Sequence, residues 1–241
     1  MENSLFRSQW GQDKFIFENI FNFNNGCFFE VGAHDGESLS NTFFFEKELN
    51  WHGILVEMQP QFSEAIKIKR PNSKFFNCGL SEKKQNLLWF NAGDRSGLLR
   101  YYEASGFEYL ENYYNNKDLY PNFDVNWVQS RPIMDVISES EIDHIDYFSL
   151  DVEGAEISIL KTIDFNNVSI DLFTIEDNIT PWIEHRKLLD SHGYTFIGAL
   201  GVDGFFMHDR LKFNLIKKHS SNYLELLTSK MTPLDWFLDR Y

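Results

Sequence analysis

The chain has 241 residues, and its 22 basic residues against 36 acidic ones give a formal net charge of −14. This charge repels phosphate backbones, so the composition argues against nucleic acid as a partner. Hydrophobic residues make up 43% of the chain and aromatic residues 17%, and both fractions are too high for a disordered protein. The length predicts a single domain over residues 1–241 that carries an insertion.

The cysteines and the N-terminus indicate the compartment. Cys27 and Cys78 are the only cysteines, and each lies in an apolar, strand-like run rather than in a disulfide framework. The N-terminal residues lack the pattern of a signal peptide, and no window reaches ~18 uninterrupted apolar residues. We therefore expect a cytoplasmic protein without a membrane span.

Seven segments have the character of β-strands. The first five are near-continuous apolar runs that end in acidic or small polar residues, which is typical of parallel strands buried on both faces. Functional groups are expected at the carboxyl ends of such strands. In chain order the segments cover residues 27–33, 53–58, 74–80, 146–152, 171–177, 194–200 and 204–209.

Helix-compatible segments alternate with these strands and predict βαβ units. They cover residues 39–49, 60–70, 155–163 and 181–193. The last two strands are separated only by Gly201 to Asp203, which is too short for a crossover helix and predicts an antiparallel hairpin at the sheet end. The expected fold class is α/β, with a seven-stranded, mostly parallel sheet, an antiparallel last strand and helices on both faces.

Two further segments interrupt or follow this pattern. Residues 93–127 are rich in Tyr, Asn and Asp without a clean period, and we expect either a lid over the site or a packing elaboration. Residues 211–241 predict a helical tail that packs on the core or forms the contact of a homodimer.

A glycine-containing turn follows the first strand, in the segment EVGAHDG at residues 30–36. Gly32 and Gly36 permit a tight turn and a close approach of backbone to ligand. The carboxylates of Glu30 and Asp35 disfavour the pyrophosphate of a dinucleotide and favour a cationic ligand. S-adenosylmethionine carries an amino group and a sulfonium, so it suits this turn.

The second and third strands end in candidate nucleoside contacts. Glu57 lies at the end of the second strand, where an acidic side chain can accept both ribose hydroxyls. Met58 follows and has a polarizable thioether that suits an adenine face, and Cys78 ends the third strand at the expected adenine edge. The alternatives are a solvated strand-end Glu57 and an ordinary core Met58.

Carboxylates also end the fourth and fifth strands. Asp151 and Glu153 point to the same side if the fourth strand continues through them, and Glu176 and Asp177 end the fifth strand beside them. Crowded carboxylates act as a general base or bind a hard divalent cation. For Glu156 the better interpretation is a carboxylate at a helix N-terminus. Among the histidines, His34 and His185 are the catalytic candidates.

In these residues the chain resembles the FkbM-type methyltransferases. The blocks that carry the resemblance are Ser8-Gln9 with Gly11-Gln12-Asp13, FFEVGAHDG with Ser40-Asn41-Thr42, GILVEMQP, RPIMDVI and IDYFSLDVEGAE. The resemblance implies a class I methyltransferase fold of the Rossmann-like type, S-adenosylmethionine as donor and O-methylation of sugars or sugar-decorated products. By position it implies donor contacts from Gln12, Glu30, Gly32, Ala33, Asp35, Asn41, Glu57 and Asp151.

The resulting hypothesis is an S-adenosylmethionine-dependent O-methyltransferase acting on a hydroxyl of a sugar, a glycan or a glycosylated small molecule. The catalytic candidates are Asp151, Glu153 and Glu176, and a divalent cation, Mg²⁺ or Mn²⁺, is expected at Asp151, Glu176 and Asp177. Aromatic residues of the insertion would stack on sugar faces: Tyr101, Tyr102, Tyr113 and Tyr114. The alternatives are a nucleotide-sugar or NAD-binding enzyme and a catalytically silent binding module.

Overall fold

The computed structural model describes residues 5–91, 96–101, 111, 115, 124–176 and 182–231. The strands of its main sheet are β1 (Cys27–Val31), β2 (His52–Val56), β3 (Ser73–Phe76), β8 (His144–Leu150), β9 (Ser169–Glu176), β10 (Tyr194–Leu200) and β11 (Asp203–His208). They lie in the order β10-β11-β9-β8-β1-β2-β3. β11 is antiparallel to β9 and β10, and the other pairs are parallel. The predicted α/β fold class and the antiparallel last strand are therefore confirmed.

A second, four-stranded sheet was not predicted. Its strands are β4 (Gly79–Leu80), β5 (Gln85–Asn91), β6 (Gly97–Leu98) and β7 (Asp124–Arg131), in the order β4-β7-β5-β6. The prediction of one strand over residues 74–80 is wrong, because the main sheet takes only Ser73–Phe76 and the second sheet takes Gly79–Leu80. The predicted insertion at 93–127 overlaps β6 and the start of β7.

Helices lie on both faces of the main sheet. They are α1 (Gln12–Asn19), α2 (Phe43–Leu49), α3 (Ser63–Lys69), α4 (Ile133–Ser140), α5 (Glu156–Leu160), α6 (Trp182–Asp190), α7 (Asp209–Lys218) and α8 (Tyr223–Thr228), with short 3₁₀ turns at Pro60–Phe62 and Leu99–Tyr101. α7 and α8 belong to the predicted tail, of which residues 232–241 lie outside the described part. Within the described residues, none of the helices combines the length and the apolar character that crossing a membrane requires.

The core is divided by the main sheet into two layers. Successive residues of β1, Phe28 and Phe29, are both fully buried and belong to different clusters. The Phe29 cluster includes Val136 of α4, and the Phe28 cluster includes Phe45 of α2. This explains the continuous apolar runs in the sequence, since a strand covered by helices on both faces has no solvated side.

The register of the parallel strands places their carboxyl ends at one edge. Val31, the last residue of β1, is paired with Val56 of β2 and with Leu150 of β8. Leu150 is in turn paired with Ile175 of β9. The residues that follow these strands therefore lie side by side, and they include most of the candidates identified in the sequence.

Candidate functional site

Gly32 joins three strand ends at this edge. Its N–H donates to the carbonyl oxygen of Val56 at 3.0 Å, and its φ of +88° lies in the left-handed region. A Cβ at this position would lie 2.1 Å from the carbonyl oxygen of Asp151. Only glycine satisfies both conditions, so the sequence requirement comes from backbone packing between the segments that follow β1 and β8.

A cleft opens beside this turn. The cleft, called the larger cleft below, is lined by residues that include Gly32, Glu57, Met58, Cys78, Asp151 and Glu153. All six were identified as candidates from the sequence.

Glu57 is held by backbone amides in the larger cleft. Its carboxylate accepts hydrogen bonds from the N–H of His34 at 2.8 Å and from the N–H of Gln59 at 2.7 Å. Burial raises its pKa to about 7, although these hydrogen bonds oppose the shift. An ionised carboxylate has about four lone-pair positions, so the backbone N–H groups do not use all of them and a ligand hydroxyl can also donate to Glu57.

The second sheet contributes a wall of the same cleft through Gly79, Leu80 and Leu98. Met58 packs against a cluster of Leu87, Trp89 and Leu98, and Leu98 itself lines the larger cleft. Burial raises the pKa of Cys78 to about 11, so its thiol is neutral and contributes an apolar surface. The wall is therefore suited to the flat face of a base. The sequence could not predict it, because the β5–β7 pairing is not local.

A smaller cleft also borders Gly32 and is lined by Glu30, Asn41, Ser149 and Asp151 among others. Asn41 donates from Nδ2 to the Ser149 hydroxyl at 2.9 Å. Its Oδ1 is buried and has no hydrogen-bond partner among the described residues. A buried acceptor without a donor is costly, so this oxygen indicates a ligand that carries an N–H or O–H group.

Glu30 and Asp35 are engaged by groups of the protein itself. Glu30 accepts from the N–H of Asn41 at 2.7 Å and from the hydroxyl groups of Ser40 at 2.8 Å and Thr42 at 2.6 Å. Asp35 is bonded to Lys69 Nζ at 2.8 Å. Burial opposes the shift, but hydrogen bonds from this lysine and from nearby backbone amides hold the pKa of Asp35 well below its usual range. The two carboxylates fix the turn, and direct donor contacts from them stay a prediction.

Two other predicted donor contacts do not line either cleft. Gln12 donates from Nε2 to Asp203 Oδ2 at 2.6 Å and accepts from the N–H of Trp10 at 2.8 Å, so its side-chain amide is engaged at both ends. Ala33 is buried and belongs to the core cluster on the α1 side of the sheet. Their predicted contacts would act through the backbone or through a neighbour.

Asp151, Glu153 and Glu176 form the carboxylate group of the site. One oxygen from each lies within 4.8 Å of the others. The condition that β8 continues through Glu153 is not met, because the strand ends at Leu150 and Glu153 has a left-handed φ of 54°. The turn still directs Glu153 toward Glu176. Asp177 lies outside the described residues.

The electrostatics of this group favour a bound proton or cation. Glu176 is 8% exposed, and its Oε2 has no hydrogen-bond partner within the described part of the chain. Burial, together with the negative charge of Asp151, raises the pKa of Glu176 well above its usual value. Asp203 also belongs to this environment, since burial and the charge of Asp151 raise its pKa to about 7. Sequence reasoning missed Asp203, which begins the strand paired with Glu176.

Glu156 and His185 have structural environments, whereas His34 lies at the site. Glu156 begins α5 and accepts from the N–H groups of Val152 at 3.1 Å and Gly154 at 3.2 Å, in agreement with the helix N-terminal interpretation. His34 lines both clefts. His185 is fully buried in α6, where burial lowers its pKa to about 4, and it lines neither cleft.

Comparison with known proteins identifies the family. The sequence model of the FkbM methyltransferase domain matches residues 30–196, which is more than half of the chain. The chain belongs to the FkbM methyltransferase family. The family supports S-adenosylmethionine-dependent methyl transfer as its chemistry, and it confirms the resemblance identified from the motifs. None of the curated proteins matches the sequence.

Several solved methyltransferase structures are similar in fold. An FkbM methyltransferase from Methylobacillus flagellatus KT is 14% identical, with a TM-score of 0.44 over 76% of this chain and 44% of that one. A precorrin-6y C5,15-methyltransferase from Geobacter metallireducens GS-15 is 10% identical, with a TM-score of 0.44 over 86% of this chain and 90% of that one. A TehB-like methyltransferase from Corynebacterium glutamicum is 8% identical, with a TM-score of 0.41 over 84% and 89%. The chain described here thus spans less than half the length of the FkbM methyltransferase from Methylobacillus.

Proposed function

We propose that the protein is an S-adenosylmethionine-dependent O-methyltransferase that acts on a hydroxyl of a sugar, a glycan or a glycosylated small molecule. The observation that carries this proposal is the position of Asp151, which lines both clefts and lies within 4.8 Å of Glu153 and Glu176. A carboxylate group therefore lies where two cavities meet, next to the glycine turn of a methyltransferase domain.

The donor would occupy the two clefts that share Gly32. Glu57 has lone-pair positions left for the ribose, and the lining with Met58 and Cys78 suits adenine. The unpartnered Oδ1 of Asn41, near the charge of Asp151, suits the amino group of the methionine part. When bound, S-adenosylmethionine supplies a methyl group already activated by its sulfonium.

The protein then has to position the acceptor and remove its proton. Asp151, Glu153 and Glu176 provide carboxylate oxygens for the proton of an acceptor hydroxyl. The sugar class of the acceptor follows from the resemblance, and aromatic residues of the insertion would bind its faces. Of these, Tyr101 is half-buried and bonded to Ser158 at 3.4 Å, while Tyr102, Tyr113 and Tyr114 lie outside the described residues.

A divalent cation is a second part of the proposal. From the sequence we expect Mg²⁺ or Mn²⁺ at Asp151, Glu176 and Asp177, and the proximity of Glu153 makes it a further ligand candidate. The buried Oε2 of Glu176, which lacks a donor among the described residues, supports this site. The competing account is metal-free, with one carboxylate of the group as general base.

Donor specificity is the first test. S-adenosylhomocysteine should bind in calorimetry and raise the melting temperature, because a ligand of the native state stabilises it by mass action. NAD should not bind, since the described residues of the two clefts include no lysine or arginine for a pyrophosphate. A heat of binding for NAD and none for S-adenosylhomocysteine would favour the alternative of a dinucleotide-binding enzyme. Donor binding without turnover on any glycan or glycosylated acceptor would favour a silent binding module.

The cation is tested separately. Turnover should be lost after exhaustive treatment with EDTA and restored by Mg²⁺ or Mn²⁺. Glu176→Gln should lower the affinity for the cation that restores turnover. Glu64→Gln, the same change on the exposed face of α3, serves as the control. Full activity after chelation would rule out the cation and leave the carboxylate base in place.

A further inference from the structure

Arg70 is the most deeply buried cation of the described structure. It follows the last residue of α3, is 1% exposed, and lies against the rings of Phe28 and Phe43. A buried guanidinium is unfavourable unless its N–H groups are paired and hydrogen-bonded. Arg70 was not among the candidates identified from the sequence, and it lines neither cleft.

All three guanidinium nitrogens of Arg70 donate hydrogen bonds. Nε donates to Glu46 of α2 at 2.7 Å, and Nη2 donates to the Thr42 hydroxyl at 2.7 Å. Nη1 lies 3.2 Å from the carbonyl oxygen of Gly36, 3.2 Å from Ser40 Oγ and 3.4 Å from Glu30 Oε2. One side chain thus ties the end of β1, the glycine turn, the segment 40–42 and α2 together.

This network ends at the smaller cleft. Glu30 presents Oε2 to Arg70 and Oε1 to the N–H of Asn41, at 2.7 Å. The residues before and after Asn41, Ser40 and Thr42, are bonded to both charged groups. Arg70 therefore fixes the backbone of Asn41 through Glu30, and Asn41, whose buried Oδ1 has no partner among the described residues, lines the smaller cleft.

We infer that Arg70 is a positioning residue for the methyl donor: it acts through Glu30 on Asn41 and sets the affinity for the amino-acid part of the donor, not for its nucleoside part. This inference rests on the proposed donor site. The nucleoside side depends on Glu57, which accepts hydrogen bonds from the backbone N–H groups of His34 and Gln59. The side-chain hydrogen bonds of Arg70 go instead to Glu30, Gly36, Ser40, Thr42 and Glu46. The two halves of the donor would thus be held by different side chains, Asn41 for the amino-acid part and Glu57 for the nucleoside part.

Lysine cannot replace arginine in this position. The network needs donors in three directions from a planar group, toward Glu46, Thr42 and Gly36. A lysine ammonium keeps the charge but is a point donor on a flexible stem. Arg70→Lys therefore removes the three-directional hydrogen bonding of the guanidinium and keeps its positive charge. The variant distinguishes an effect of hydrogen-bond geometry from an effect of charge.

The test compares two ligands. S-adenosylhomocysteine contains the amino-acid part, and 5′-methylthioadenosine lacks it. In calorimetry, Arg70→Lys should lower the affinity for S-adenosylhomocysteine by about tenfold or more, which corresponds to the loss of one charge-assisted hydrogen bond. The affinity for 5′-methylthioadenosine should change by less than about twofold. Asn41→Ala should give the same selective loss, and the double variant should lose no more than Asn41→Ala alone, since both changes remove one contact.

Two further variants keep the test decisive. Leu215→Ala removes a buried side chain of the core on the α7 side, so it lowers stability and should leave both affinities unchanged. If Arg70→Lys does not fold, Thr42→Val removes one hydroxyl bonded to both Arg70 and Glu30 and should give a smaller selective loss. An equal loss on both ligands, or no loss on either, overturns the inference. Absence of S-adenosylhomocysteine binding to the unmodified protein instead refutes the proposed function.

Discussion

Glu57 combines a structural and a ligand-binding environment in one carboxylate. Its carboxylate accepts from the N–H of Gln59 in the turn that follows β2 and from the N–H of His34 in the turn that follows β1, and Glu57 also lines the larger cleft. A side chain of this kind cannot be changed without effect on the fold. The donor role and the structural role must therefore be separated by the choice of ligand and of pH.

We predict that Glu57→Gln weakens S-adenosylhomocysteine and 5′-methylthioadenosine alike, by about 1.5–3 kcal/mol, because both ligands contain the ribose. The glutamine amide keeps one acceptor and loses the other, so a moderate loss of stability accompanies the change. Calorimetry at pH 8 measures the affinity, and Glu64→Gln on the exposed face of α3 is the control. Unchanged affinity in a folded variant would refute the ribose contact.

The same carboxylate predicts the pH dependence of donor binding. Burial raises the pKa of Glu57 to about 7, and ribose hydroxyls require its ionised form as acceptor. The affinity for 5′-methylthioadenosine, which is uncharged, should therefore fall as the pH is lowered from 8 to 6. Glu57→Gln should have a flatter profile over this range. A wild-type affinity that rises on acidification would contradict this assignment.

At the level of residues, the sequence predicted the strand-end carboxylates well and their partners poorly. Glu57 and Asp151 could be located because parallel strands end in functional residues at one edge. The role of Glu30 could not be derived, because its partner Arg70 lies forty residues further along the chain. Asp203 was missed for a similar reason, since only the antiparallel pairing of β11 with β9 brings it to Glu176.

The turn after β1 gives a prediction at the level of elements. Gly32 and Gly11 both have a left-handed φ, +88° and +79°, so alanine costs roughly 1–2 kcal/mol of strain at either position. At Gly32 the new Cβ would also meet the Asp151 carbonyl oxygen at 2.1 Å, whereas Gly11 faces open space. Gly32→Ala should therefore abolish donor binding and lower the unfolding free energy by more than Gly11→Ala does. Urea unfolding and calorimetry measure both, and equal losses would show that the contact with Asp151 is unimportant.

The second sheet changes how the insertion should be tested. We propose that the segment between Tyr101 and Asp124 is a lid for the acceptor. Replacing residues 102–123 by a short Gly-Ser linker should abolish methyl transfer to the acceptor, measured as formation of S-adenosylhomocysteine. Donor binding should be preserved. Replacing 93–127 should also impair donor binding, because it removes Leu98 of the larger cleft and four residues of β7 paired with β5. Loss of donor binding in the shorter replacement would show that the segment is part of the core.

The elements that the sequence predicted are those with local signals. Alternation of buried strands with helices gave the main sheet, and the short GVD connection gave the hairpin of β10 and β11. The second sheet has no such signal, because β5 pairs with β7 across more than thirty residues of irregular composition. Gly79–Leu80 was assigned to the preceding strand for the same reason, since only its pairing with Ser130 and Arg131 separates it.

At the scale of the whole molecule, the acidic residues are not distributed evenly. The chain carries a net charge of −14, and several of its buried carboxylates lie at the edge of the main sheet where the parallel strands end. Burial is the main cause that raises the pKa of Glu57, Glu156 and Asp203, each to about 7. Ionisation of these buried groups therefore lowers the unfolding free energy of the unliganded protein, and a bound cationic donor would reduce this loss.

This loss predicts how stability depends on pH. The folded form of Glu57, Glu156 and Asp203 binds protons up to about pH 7, whereas the same groups in the unfolded chain lose them near pH 4. Because the folded state then holds more protons, its unfolding free energy decreases as the pH rises from about 5 to 8, by roughly 1 kcal/mol for each group that titrates between pH 6 and pH 8. Below about pH 4 the trend reverses, and the unfolding free energy decreases as the pH falls. The reason is Asp35, whose pKa is lowered by its hydrogen bonds, so that it loses its proton more readily in the folded state than in the unfolded chain.

Urea unfolding of the unliganded protein with EDTA present, at pH 6, 7 and 8, measures this dependence. High salt screens repulsion between surface charges but not the burial of these groups, so the trend should persist in 0.5 M NaCl. Asp203→Asn keeps an acceptor for Gln12 and should flatten the profile, while Glu64→Gln on the surface should not. A protein that is more stable at pH 8 than at pH 6 would show that these carboxylates are already ionised in the fold, each compensated by a partner within the chain.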